Sequence, residues 1–196
     1  MQRTDAIHSG PARLLVGLLA AALVATCGGG AVSPSPKPGA TTFEEFRTAA
    51  CAAWASLFEG YGNPDTNAPS DLRQDLEAAI EAGDTEAVER HAAAMLAELE
   101  AGRAHAAVGA AWSPGAEPMA AMGDVLAAFQ AYVDAERAAA GSGLAEAKGA
   151  GQAAFETAGA IEAWTLLLTP DTWAEVNAAR PSGSQPEPCG EVDISL

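Results

Sequence analysis

The sequence predicts an all-α protein, an antiparallel bundle of helices without a β-sheet. After Thr42, apolar residues recur at steps of three and four, residues that cap helices precede these runs, and no segment shows strand alternation between hairpin turns. Hydrophobic residues make up 49% of the chain but aromatic residues only 6%, so we expect a core of small residues with a few large anchors. The length of 196 residues fits one such domain.

The first predicted helix begins after Thr42, which forms a capping-box pattern with Glu45, and it ends at Gly60. Its apolar stripe comprises Phe43, Phe46, Ala50, Ala53, Trp54 and Leu57. A second, shorter helix is capped by Ser70 and ends at Gly83.

A third helix is predicted from Asp84, with the seam spacing of bundled helices at Val88, Ala92, Met95, Leu99, Gly102 and Ala106. The break at 113–115 precedes a fourth helix, whose inward positions are Met119, Met122, Leu126, Phe129 and Val133, with Asp124, Asp134, Glu136 and Arg137 facing water or the rim. A fifth runs from Leu144 to Leu168 with Ala147, Gly151, Phe155, Ile161 and Trp164 on its apolar stripe, and a short sixth piece starts at Pro170. Helices one, three, four and five are the main members of the predicted bundle, which spans residues 42–180.

The amino-terminal region has the features of an export signal. Arg3 and Arg13 precede an apolar run from Leu14 to Ala25, which is shorter than the ~20 apolar residues that a membrane-spanning helix needs. Residues 1–26 are therefore predicted to be a signal peptide.

The segment Leu23–Cys27 resembles the lipobox of bacterial lipoproteins. The resemblance implies that Cys27 becomes the lipidated first residue and that the protein is extracytoplasmic, anchored to the bacterial cell membrane. Thr26 stands where that family usually has Gly, Ala or Ser, and cleavage without lipidation and an uncleaved anchor are the alternatives. Residues 27–41, rich in Gly, Pro and Ser, are predicted to form a tether.

The formal net charge is −16, which disfavours contact with phosphate backbones and anionic lipid head groups. Nucleic acid is therefore excluded as a partner, and the membrane is reached through lipidated Cys27. Cys51 and Cys189 are an even pair in a compartment where disulfides persist, and we predict that they are bonded. Residues 181–196 are predicted to be a carboxyl-terminal tail, and the bridge would hold the segment from Arg180 to Glu191 against the first helix. The chain-entropy model gives this bridge about 4 to 5 kcal/mol.

Two weak metal sites are candidates. The loop after the first helix matches positions 1, 3, 5 and 9 of a calcium-loop template with Asn63, Asp65, Asn67 and Asp71. Ala68 and Gln74 stand where the template needs Gly and a bidentate Glu, which favours a plain turn. If the third and fourth helices form an antiparallel hairpin, His105 faces Met119 and Met122 in a soft pocket suited to Cu(I), the alternative being a rim histidine beside core methionines.

The sequence contains no haem attachment motif, GxSxG, phosphate loop or paired zinc-ligand spacing, so no catalytic residue and no cofactor is predicted. We expect a membrane-anchored extracytoplasmic lipoprotein that binds an envelope protein or a small ligand and is not an enzyme. The alternative is a metal-binding protein, with Cu(I) ahead of calcium.

Overall fold

The structure is a computed structural model that describes residues 39–64, 66–182 and 189, all within one compact unit. The predicted signal peptide, the lipobox-like segment with Cys27 and most of the predicted tether lie outside these residues. Over the described part of the chain the fold is an all-α bundle, as predicted.

The helices are α1 (Phe43–Gly60), α2 (Asp71–Ala82), α3 (Thr85–Ala110), α4 (Ala116–Ala139), α5 (Leu144–Thr157), α6 (Ala160–Leu167) and α7 (Ala174–Ala179), with 3₁₀ turns at Ser113–Gly115, Ala140–Ser142 and Pro170–Trp173. Helix α3 packs against α1, α2 and α4, and α4 also packs against α5 and α6. Helix α4 is therefore in contact with the helices α3, α5 and α6, and this packing determines the environment of Glu136 described below.

The predicted helix starts are confirmed at hydrogen-bond level. Thr42 and Glu45 form both halves of the capping box. The Ser70 hydroxyl accepts from the Arg73 amide at 3.1 Å, and the Asp84 carboxylate accepts from the Ala87 amide at 3.0 Å. These side chains satisfy amide donors that have no partner within the first turn of a helix.

The core combines large side chains with glycines at helix crossings, as predicted. Met95, Leu99 and Met122 are fully buried. A Cβ on Gly102 would lie 3.0 Å from the side chains of both Leu126 and Ser56, so α3 approaches α4 and α1 closely at this residue. Small residues let helix axes approach and bring more atoms into contact.

The prediction of one uninterrupted fifth helix is wrong. Helix α5 ends at Thr157 and α6 begins at Ala160, because Gly159 adopts a left-handed conformation with φ 73°. Glycine tolerates this conformation, and the turn changes the direction of the chain. The apolar stripe drawn across the break was therefore out of phase, and Ile161, which was predicted to face inward, is 63% exposed.

The structure also contains a minimal sheet that the prediction lacked. Gly62–Asn63 (β1) pairs antiparallel with Ala68–Pro69 (β2). Gly62 has a φ of 116°, and a Cβ there would collide with the backbone of β2. Strands of two residues are too short to show alternation in a sequence.

The predicted disulfide is present. Cys51 on α1 is bonded to Cys189 with a Cα to Cα separation of 5.0 Å. It fastens the one described residue of the predicted tail beyond 182 to the first helix. Among the described helices, none is long and apolar enough to cross a membrane.

Candidate functional site

A cluster of ionisable side chains lies between α2, α4 and α5, with Glu136 and Arg73 buried and Glu77 and Lys148 partly exposed. Its central member is Glu136 on α4, whose side chain is fully buried. The prediction that Glu136 faces water or the rim is wrong, because α5 covers the face of α4 that a single amphipathic stripe would leave exposed. The other three polar residues assigned to that face are exposed or half-buried.

Helices α2 and α5 contribute the cations of this cluster. The Arg73 Nε lies 3.1 Å from Glu77 Oε1, and the Lys148 Nζ lies 3.0 Å from the same oxygen. The Arg73 guanidinium also lies over the Tyr61 ring, 4.3 Å from its centroid, and 5.8 Å from the centroid of the Tyr132 ring. An arginine that is 5% exposed thus exchanges its hydration for one shared carboxylate and two aromatic faces.

The Glu136 carboxyl has no hydrogen-bond partner among the described residues, although both of its oxygens are buried. Burial, followed by the charge of Glu77, raises the pKa of Glu136 from 4.5 to about 7, against the opposing influence of Arg73 and Lys148. Burial and the nearby Glu136 charge also raise the pKa of Tyr132. The cluster can therefore hold or release a proton near neutral pH. Because the oxygens are enclosed, they offer no surface to a substrate in this conformation.

Helix α6 shows the opposite arrangement on the surface. The large apolar side chains that the described residues expose are Ile161 at 63%, Leu166 at 40% and Leu168 at 52%. Thr165 lies on the same exposed face of α6, and Thr169 follows just after the helix, where the backbone is extended. We call the set Ile161, Thr165, Leu166, Leu168 and Thr169 the α6 ridge.

The threonines make the ridge less polar than their residue type suggests. The Thr165 hydroxyl donates to the Ile161 carbonyl at 2.7 Å, and the Thr169 hydroxyl donates to the Thr165 carbonyl at 2.8 Å. Because each hydroxyl proton is directed back to the helix, these side chains add methyl groups to the outer surface.

The opposite face of α6 is fixed to the bundle. Leu167 is buried, and its carbonyl accepts from the Trp173 indole at 2.7 Å. The Thr172 hydroxyl donates to the Leu166 carbonyl at 2.7 Å. Trp164 packs edge-on against Trp54 of α1 with 5.8 Å between ring centroids. The ridge is therefore the solvent-facing surface of a helix whose other face packs against the bundle.

A depression of about 550 Å³ runs along the ridge and has acidic side chains at its rim. Glu156 and Glu162 line it together with Ile161 and Leu166. The sequence from 149 to 179 contains these two glutamates, Asp171 and Glu175, and no Lys or Arg. This surface therefore combines apolar side chains with charge of a single sign.

The structure does not bring the predicted copper ligands together. Met119 and Met122 are 1% and 0% exposed in the core, and Met119 packs where a Cβ on Gly109 would lie. His105 is exposed and lines a groove of about 540 Å³ between α1 and α3. His105 thus lies on the surface and the two methionines lie in the core.

Two of the predicted calcium-loop residues, Asn63 and Asn67, lie in the short β1–β2 hairpin or next to its strands. Asn63 lies in β1, and its side-chain oxygen accepts from the Thr66 amide at 3.3 Å. Asn67 has a φ of 53°, Asp71 is the first residue of α2, and Asp65 lies outside the described residues. No group of three or more His, Cys, Asp or Glu side chains that could hold a metal ion occurs within the described part of the chain.

Sequence reasoning missed both the buried cluster and the ridge. The Arg73 to Glu77 spacing is that of an ion pair on a helix surface, and only the tertiary structure shows that Arg73 is buried and that Glu77 also pairs with Lys148 of α5. Gly159 was the available signal for the ridge, since a glycine inside a helical pattern can mark a break. Comparison of the chain with known proteins gave no match to a family model, to a curated protein or to a solved structure.

Proposed function

We propose that the protein is a lipid-anchored extracytoplasmic protein whose helical bundle is a non-catalytic binding module and presents the α6 ridge to another component of the cell envelope. The observation that carries the proposal is that the exposed large apolar side chains of the described residues all lie on α6 or at its carboxyl-terminal cap. Scattered exposed apolar residues are ordinary, whereas a group of them framed by polar residues is typical of an interaction site.

Two observations support the extracytoplasmic location. The disulfide between Cys51 and Cys189 is of a kind that persists in oxidising compartments and is rare in the cytosol. The amino-terminal apolar run followed by a lipobox-like segment is typical of an exported and acylated protein. Lipidation of Cys27 would hold the domain at the membrane surface.

The chemistry of the two regions favours binding over catalysis. The carboxyl group with a pKa near neutrality, Glu136, is enclosed. On the ridge, the hydroxyl protons of Thr165 and Thr169 are donated to backbone carbonyls, so no base activates either oxygen as a nucleophile. What the ridge offers is apolar area for a partner to cover.

Cell fractionation tests the anchor. We expect Cys27→Ser to leave the membrane fraction, because the acylated sulfur is the proposed attachment. The matched control Ser33→Ala, also in the predicted tether, should remain with the membrane. Retention of Cys27→Ser in the membrane would contradict lipid anchoring and indicate an uncleaved leader.

Site-specific photo-crosslinking in intact cells tests the binding face. A photoreactive residue at position 165 should give a discrete cross-linked product, whereas one at position 81, on the exposed surface of α2, should not. The product at 165 should disappear when Ile161→Ser and Leu168→Ser are added. Equal products at both positions, or none at 165, would contradict a docking role for α6.

A further inference from the structure

We infer that the occupant of the α6 ridge is a basic amphipathic segment of another protein, with an apolar face bordered by Lys or Arg side chains. The inference rests on the proposed function, since it names the chemistry of the partner at that same surface. It is argued from the shape of the ridge and from the charges that border it.

The apolar groups form a strip along about two helical turns. Ile161 and Leu168 are seven residues apart and share one edge of the exposed face, and Leu166 marks the other edge. At 1.5 Å per residue, the strip from 161 to 168 is about 11 Å long. This length matches the i, i+3, i+4 and i+7 anchors with which an amphipathic helix contacts an apolar groove.

The charges next to the strip indicate the sign of the charge that a partner should carry. Glu156 and Glu162 are exposed and line the same depression as Ile161 and Leu166. The nearest cations along the chain are Lys148, which pairs with Glu77 at 3.0 Å, and Arg180. An approaching segment therefore meets carboxylates that no Lys or Arg between 149 and 179 can neutralise, and Lys or Arg in that segment would be attracted to them.

The same charges disfavour the other occupants. A second copy of this chain would place its own Glu156 and Glu162 against the same two glutamates, and the like charges would repel. The carboxyl-terminal residues 190–196 include Glu191 and Asp193, which are again negative. An anionic bilayer surface would be repelled for the same reason. For a basic segment, both the burial of apolar area and the attraction between opposite charges favour binding.

Peptide titration provides the test. Three synthetic helical peptides of about 18 residues would share one leucine face and differ in a polar face of Lys, Gln or Glu. Each is titrated by fluorescence anisotropy against the full chain in phosphatidylcholine discs, with empty discs as the blank. We expect the Lys peptide to bind at least about tenfold more tightly than the Gln peptide, and the Glu peptide not to bind.

Variants of the ridge separate its two components. Ile161→Ser with Leu168→Ser should weaken binding of the Lys peptide by about tenfold or more, because apolar area is lost. Glu156→Gln with Glu162→Gln should weaken it by about three- to tenfold, chiefly through a slower association rate that depends on salt. The matched control Glu81→Gln with Glu86→Gln removes the same charge from exposed positions of α2 and α3 and should change affinity by less than about twofold.

Each contrary outcome has a distinct meaning. If the Gln peptide binds the ridge as tightly as the Lys peptide, the basic partner is overturned and the proposed binding function stands. If the control pair weakens binding as much as the ridge pair, the attraction is unspecific and the inference is overturned. Ridge-dependent dimers in light scattering would make a second copy the occupant, also against the inference. Binding of none of the peptides would remove the ridge as a docking surface and leave only the anchor.

Discussion

Charged side chains are usually exposed and large apolar ones buried. The cluster around Glu136 departs from the first rule, and the α6 ridge departs from the second. The cluster buries Glu136 and Arg73 close to aromatic rings, with Glu77 and Lys148 partly exposed at its edge, whereas the ridge exposes an isoleucine and two leucines to water. Both arrangements cost free energy relative to their opposites. The difference lies in where the compensation is found.

The cluster is compensated within the domain. Arg73 has Glu77 and two aromatic faces, and Glu136 can remain protonated near neutral pH. The ridge has no such compensation among the described residues. Where contacts within the domain offset the cost of an unusual placement, the residues contribute to folding. Where no such contacts exist, the residues are candidates for binding a partner. Four sets of substitutions test this distinction, in order of decreasing effect on the free energy of unfolding.

Arg73→Ala should have the largest effect. It removes a buried cation from Glu77 and Glu136 and a guanidinium from the Tyr61 ring, so we expect a loss of about 3 to 5 kcal/mol in urea unfolding. Arg103→Ala is the control, because its ion pair with Glu100 is exposed to solvent, and it should change stability by less than about 1 kcal/mol. Similar losses in the two variants would show that the cluster does not stabilise the fold.

Glu136→Gln should change how stability depends on pH. Because the folded pKa of Glu136 is about 7 and its ordinary value is 4.5, the unfolded chain releases this proton at lower pH than the folded protein. The contribution of Glu136 is fully present below about pH 4.5 and is lost as the pH rises to about 7 and beyond. The stability of Glu136→Gln relative to the unsubstituted protein should therefore increase by about 3 kcal/mol between these limits.

Urea titrations at several pH values would measure this difference for Glu136→Gln. The control is Glu81→Gln, an exposed glutamate for which the difference should stay flat. A flat difference for Glu136→Gln as well would mean that the carboxyl ionises in the folded protein as readily as in the unfolded chain.

Two glycines of α5 test how tightly the region around the cluster is packed. A Cβ on Gly151 would lie 2.9 Å from the Tyr132 ring, whereas one on Gly149 would meet nothing within 4 Å. Gly151→Ala should therefore destabilise the protein by about 1 kcal/mol, with overpacking outweighing the better helix propensity of alanine. Gly149→Ala should stabilise it by up to about 1 kcal/mol. Thermal melts of the pair that shift in the same direction would contradict close packing of α5 on α4.

Ile161→Ser with Leu168→Ser should have the smallest effect on folding. Both side chains are more than half exposed, so unfolding changes their hydration little, and we expect a change within about 0.5 kcal/mol. Leu167→Ser, one residue away but buried, is the matched contrast and should lose about 2 to 4 kcal/mol. A large loss in the double variant would identify the ridge as part of the folding core.

Local patterns predicted much of the fold. The predicted helix starts at Thr42, Ser70 and Asp84 were correct because each depends on residues within three positions of the start. The stripe of α4 was correct at Met122 and Val133 because those positions face α3 or other core elements. The errors at Ile161 and Glu136 arose where a glycine changed the helix phase and where a second helix covered the predicted outer face.

The sequence by itself determined the all-α class, the helix starts and the pairing of Cys51 with Cys189, because these depend on short-range hydrogen bonding, hydrophobic periodicity and the number of cysteines. Only the tertiary structure decided that Glu136 is enclosed and that the α6 ridge is exposed. Burial depends on which helices cover a given face, and that arrangement depends on contacts between residues far apart in the chain, such as those of α2 and α4 with α5.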